Sequence, residues 1–141
     1  MTALPATRSR AAVRAGEELP EVRVEITPAL VVGGAIVTRD FQDVHHDRDA
    51  ARGHGAKDVF MNILTTNGLV GRYVTDWAGP EAIVRRVAIR LGVPNYPGDT
   101  MRFTGRVADA DPATGRVRVE IRGANSIGDH VTGTVDVELP S

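Results

Sequence analysis

The chain contains no cysteine, which removes disulfides, thiolate metal sites and a cysteine nucleophile together and fits a reducing, cytoplasmic setting. Charge of either sign is not in excess: the formal net charge is −1, with acids and bases interspersed. Such a surface has no field to gather nucleic acid or an anionic membrane, so neither is expected as a partner. No apolar run approaches the roughly 18 residues that span a bilayer. Aromatics make up only 4% of the residues, so any cavity should be walled mainly by aliphatic side chains. Phosphate-binding glycine loops are missing too, because Gly53-His54-Gly55-Ala56 lacks the lysine and the strand-to-helix context they require.

What remains is 141 residues, 42% of them hydrophobic, enough for one core and too few for two ordinary domains. Residues 1–20 read as a flexible tail, since Arg8, Arg10 and Arg14 stand there without an apolar stretch, and residues 21–141 read as the folded domain. β-Branched residues predict a short strand over Glu21 to Ile26 and a longer one over Ala29 to Thr38, which would deliver Arg39 and Asp40 to a sheet end. A helical turn or two follows from His46 to His54. Asp58 then stands as a cap before VFMNILTTNGLVGRYV, apolar on nearly all sides and therefore a buried helix. Its small polar middle, Thr65 to Gly68, suits either close packing or a pocket wall.

Beyond Ala78-Gly79-Pro80 the period changes to two. Apolar residues alternate with polar ones around Val87 to Leu91, Met101 to Val107, Val117 to Ile121 and Val131 to Val137, as in a sheet with one buried face. Turn residues at Pro97 to Asp99, Asp111 to Gly115 and Ser126 to Asp129 read as hairpin connections. One long buried helix with several antiparallel strands gives an α+β class in which the sheet wraps the helix. Arg85, Arg86, Arg90 and Arg102 read as a solvated sheet face.

Chemistry concentrates in Thr38 to Ala51, TRDFQDVHHDRDAA. A carboxylate, Asp40, stands five residues before an imidazole, His45, and such a pair can share a water, one group taking its proton while the other orients it. His45, His46, Asp47 and His54 could instead suggest a metal cluster, but no familiar spacing such as HExxH is present, so no metal is expected.

These residues resemble a known pattern. Asp40, Val44, His45 and Ala51 match the hydratase-2 signature D-x-N-P-aliphatic-H-x5-A/S of the MaoC-like enoyl-CoA hydratases, and LGVPNYPGDT (Leu91 to Thr100) is similar to that family's P-V-x-x-G-D turn. Within the family the chain looks most like the small single-hotdog subunit of the actinobacterial hydratases acting on steroid side-chain enoyl-CoA thioesters. Arg39-Asp40 with His45-His46-Asp47 and the text NILTTNGLVGRYVTDW carry that likeness. The resemblance implies a single hotdog fold and hydration of a trans-2-enoyl-CoA thioester without a cofactor. It also implies Asp40 and His45 as the catalytic pair, and a larger MaoC-like partner subunit lacking that pair, with a homodimer as the alternative. A general short- or medium-chain hydratase, a 3-hydroxyacyl-thioester dehydratase and a non-catalytic hotdog subunit are the rival readings. Gln42-Asp43 replaces the signature's Asn-Pro, and the family's helix-start glycine, whose N–H faces the thioester oxygen, falls on Ile63. Asn62, Thr66, Asn67 and Gly68 are the implied substrate-pocket residues.

Overall fold

The computed structural model describes residues 5–141. Five strands form one antiparallel sheet: β1 (Glu18–Glu25), β2 (Ile83–Leu91), β3 (Thr100–Ala110), β4 (Arg116–Asn125) and β5 (Gly128–Glu138), in the order β1-β3-β4-β5-β2. The alternation foreseen in the sequence buries one face. Met101, Phe103 and Val107 of β3, Val117, Val119 and Ile121 of β4, and Val131, Val135 and Val137 of β5 form the core. Across it lies α3 (Ile63–Ala78), whose Val70, Tyr73, Val74 and Ala78 are buried against the sheet. Tyr73 stacks on Phe103 at 5.2 Å and donates its hydroxyl hydrogen to Pro20 O at 3.0 Å, and burial pushes its pKa up to about 12. This is the α+β hotdog arrangement, and no helix among the described residues is long and apolar enough to cross a membrane.

Four expectations are corrected. The segment read as a strand over Ala29 to Thr38 is helix α1 (Pro28–Val37). Thr27 caps it by accepting the Leu30 N–H at 3.0 Å, and Pro28 takes the first helical position, where its missing N–H costs nothing. Among the described residues, β1 is therefore the one strand before the central helix. The central helix begins four residues after Val59. Met61 N–H is bonded to Asn95 O at 3.1 Å, which holds it outside the helix, while Asn62, not Asp58, caps the helix.

Pro97 to Asp99 is not a hairpin turn. β2 pairs with β5, not with β3, so this loop belongs to a crossover from one sheet edge to β3. It is tied to the end of β1 by Ile26 N–H to Asp99 O and Gly98 N–H to Ile26 O, both 2.8 Å.

The free tail over residues 1–20 is also revised where it is described; its first four residues lie outside the described residues. Val13 is 1% exposed, and Gly16 N–H bonds Val107 O at 2.7 Å. Arg8 pairs with Glu17 at 2.6 Å and lies over the Trp77 ring. Strand β1 starts at Glu18 rather than Glu21.

Helices α1 and α3 touch through a glycine. A Cβ on Gly34 would fall 2.3 Å from Thr65 Oγ1, and that hydroxyl is itself held to Asn62 Oδ1 at 2.6 Å. Gly34→Ala therefore must separate the helices or break that bond, and it should lower stability by about 1–3 kcal/mol. Chemical denaturation of the purified variant measures this, and unchanged stability would show that the contact yields freely.

Candidate active site

Asp40 is placed by the way α1 ends. Thr38 is the C-cap, and Arg39 adopts the left-handed conformation (φ 58°) usually given to glycine. Arg39 N–H reaches Ile36 O at 3.0 Å and Asp40 N–H reaches Ala35 O at 2.9 Å, the paired bonds of a Schellman motif. An arginine there costs on the order of 1 kcal/mol of backbone strain. In return the chain reverses sharply, and Asp40 turns back toward the start of α3.

His45 closes a single 3-10 turn (Asp43–His45) that leads, through Asp47 as N-cap, into α2 (Arg48–Gly53). It is 5% exposed. Its Nδ1 lies 2.7 Å from Phe60 O. A carbonyl only accepts, so Nδ1 carries the hydrogen and, in the neutral ring, Nε2 is an acceptor. That Nε2 stands 3.3 Å from Asp40 Oδ2. With the ring neutral and the carboxylate ionised, the two groups present acceptors side by side, an arrangement suited to holding one water by its hydrogens.

Asn62 joins this pair to the helix. Its Nδ2 donates to Asp40 Oδ2 at 3.1 Å and to Thr38 Oγ1 at 2.9 Å, while its Oδ1 accepts the Thr65 N–H at 3.0 Å as the N-cap of α3. The Asn62 hydrogen bond is the main reason the Asp40 carboxyl is held below the usual carboxylate range. The Gln42 N–H and the nearby imidazoles act in the same direction, and burial opposes them. Among the described residues, the Ile63 and Leu64 N–H groups at the first two positions of α3 have no intramolecular acceptor, as is normal for a helix start.

These groups open onto one cleft of about 380 Å³, walled by Asp40, Gln42, His45, Phe60, Met61, Asn62, Ile63, the ribbon Leu91 to Pro94, and His130. Asp40, His45, Asn62 and Ile63 are therefore brought together. Thr66, Asn67 and Gly68 are not among its walls. Asn67, half-buried, and Gly68, exposed, stand further along α3, and Thr66, 0% exposed, is packed inward against His130. For Thr65 and Thr66 the polar middle of the helix serves close packing. His46 and His54 are exposed and Asp47 caps α2 by accepting the Ala50 N–H. His130, Thr38 and Phe60 escaped the sequence reading; His130 sat unremarked at the head of an alternating strand.

The chain is thus a hotdog domain with an Asp/His pair beside the free start of its central helix. The model of the MaoC-like domain family matches residues 11–139, and the chain belongs to that family. It is 51% identical over 124 residues to the 3-oxo-4,17-pregnadiene-20-carboxyl-CoA hydratase beta subunit of Mycobacterium tuberculosis (strain ATCC 25618 / H37Rv), covering 88% of this chain and 95% of that relative. Among solved structures it matches a chain of the ChsH1-ChsH2 complex from Mycobacterium tuberculosis at 50% identity with a TM-score of 0.87, over 90% of this chain and 98% of that one. The R-hydratase PhaJ1 from Pseudomonas aeruginosa shares the fold, with a TM-score of 0.85 at 23% identity over 94% of this chain and 86% of that one.

Replacing Asn62 tests its double duty. Asn62→Ala should cost about 1–2 kcal/mol at neutral pH through loss of the cap, with a further part from the bond to the carboxylate. A depressed folded-state pKa contributes stability that is complete above the ordinary carboxylate pKa and is lost as the pH falls through the depressed value. The gap between wild type and variant, read from urea midpoints, should therefore narrow in acid. A gap independent of pH would mean that Asn62 does not stabilise the Asp40 charge.

Proposed function

We propose that this chain is the catalytic subunit of an enoyl-CoA hydratase that adds water across the C2=C3 bond of a trans-2-enoyl-CoA thioester carried on the side chain of a steroid. The observation that carries this reading is the 3.3 Å pairing of Asp40 Oδ2 with His45 Nε2 at a cleft that also holds the start of α3. The pair clamps one water, and as its oxygen bonds to C3 a proton passes to the pair. The C=C electrons move onto the thioester oxygen as an enolate, which the Ile63 N–H and the positive end of α3 stabilise. The enolate then collapses, and C2 takes a proton from the same pair. The reaction is redox-neutral and the thioester itself activates the alkene, so this reading calls for no cofactor and no metal.

The substrate class rests on the relative that is half identical to this chain and named for hydrating a pregnadiene carboxyl-CoA. A larger MaoC-like partner is supported by the match to a two-protein complex at similar identity. A hotdog thioesterase fits less well, because the one acid within α3, Asp76, is exposed near its far end and paired with Arg72.

With the partner present, Asp40→Asn should fold normally and lose turnover by a factor on the order of 100 or more, followed as the loss of enoyl-thioester absorbance. Near-normal turnover would take Asp40 out of the mechanism. Hydration of a short linear enoyl-CoA by this chain alone would make it a general homodimeric hydratase and remove the steroid assignment.

A further inference from the structure

His130 is 2% exposed and the hydration chemistry does not use it. It occupies an irregularity in the sheet: Gly123 pairs with Val131 but Ala124 pairs with Asp129, so β5 has one residue more than β4 at that point and His130 is the extra one. A bulge re-aims a side chain. Asp129 points outward to Arg122, while His130 and Val131 are both buried.

The inward imidazole ties together three segments. Its Nδ1 is 2.7 Å from Val93 O. Because that carbonyl can only accept, Nδ1 bears the hydrogen and Nε2 accepts from the Thr66 hydroxyl at 2.8 Å. Thr66 N–H closes the first turn of α3 on Asn62 O at 3.2 Å. On the other side, Gly92 N–H bonds His130 O at 2.8 Å and Val93 N–H bonds Asp129 O at 2.9 Å. A Cβ on Gly92 would lie 2.1 Å from Asp129 O, so the Leu91 to Pro94 wall of the cleft is laid directly on the start of β5. Burial pushes the His130 pKa down, which keeps the ring in the neutral form this arrangement needs. An aliphatic side chain would fill the same space without burying a ring that must find two partners.

We propose that His130 is a positioning residue: through Thr66 it sets where the first turn of α3, with its Ile63 and Leu64 N–H groups, stands against the Asp40–His45 pair. This rests on the hydration reading and extends it to a residue 90 positions from Asp40 in sequence. The group acts through the helix, not on the substrate.

The test uses the complex of this chain with its larger partner and the steroid enoyl-CoA. Thr66→Val keeps the shape and deletes the hydroxyl. It should lower kcat on the order of 10- to 100-fold with KM changed less than about 3-fold, since misplacing a reacting group by a fraction of an ångström slows chemistry more than binding. Thr66→Ser, which restores the hydroxyl, should return kcat to within about 3-fold of wild type. Two replacements at His130 separate its ring nitrogens: Gln places an amide near Nε2, facing Thr66, and Asn places one near Nδ1, facing Val93. The Gln variant should retain more kcat than the Asn variant. Full kcat in Thr66→Val, equal losses in Thr66→Val and Thr66→Ser, or the reverse order at His130 would each overturn the inference. Wild type and Asp40→Asn run alongside. Loss of turnover in Asp40→Asn with normal Thr66→Val rejects the positioning role alone, whereas a wild-type complex that does not hydrate the thioester rejects both.

Discussion

The Asn62 side chain amide is the constraint on which the site depends. Its two ends do different work: Nδ2 holds the Asp40 carboxylate and the Thr38 hydroxyl, and Oδ1 caps α3. The amide of Asn62 is 2% exposed, so water cannot take over either bond. One planar group thereby fixes the distance between the end of one helix and the beginning of another. Everything chemical in the cleft is referred to that distance.

The surrounding packing makes the bridge stiff. Gly34 lets α1 lie against Thr65, whose hydroxyl is held by the same Asn62. Left-handed Arg39 turns the chain so that Asp40 arrives with its carboxyl toward the amide. The strain at Arg39 is offset by the charge-assisted hydrogen bond that Asn62 donates to the Asp40 carboxylate. His45 is anchored separately, through Phe60 O and an edge-on contact with the Phe60 ring 5.0 Å away. The pair is thus assembled from two independent supports that meet at 3.3 Å.

Much of this was legible in the sequence, and the failures have physical causes. The strands of the second half declared themselves by alternation, because one wet face and one dry face leave little freedom. Asp40 and His45 stood out through a signature and were found in contact. Val31, Val32, Ile36 and Val37 suggested a strand, but the Thr27-Pro28 start and burial against α3 made a helix of the segment. At the head of α3 the cap was read at Asp58, whereas Asn62 fills that place. Long-range bonds from Met61 to Asn95 and from His45 to Phe60 decided between them, and no local pattern records such bonds. The crossover after β2 was hidden because a Pro-Gly-Asp turn looks the same whether or not its flanking strands are neighbours. His130 was hidden by a bulge, which has no marker in the spacing of apolar residues.

The crossover also governs the order in which the molecule can be built. β2 is made before β3 and β4 but, among the described residues, pairs only with β5. During synthesis β2 must wait, with neither edge paired, until β5 has left the ribosome. The cleft waits with it, since its Leu91 to Pro94 wall is bonded to Asp129 and His130. Closing contacts of such long sequence separation is slow compared with local hairpin formation. A chain interrupted before β5 would therefore carry Asp40 and His45 yet have no walled site to present them in.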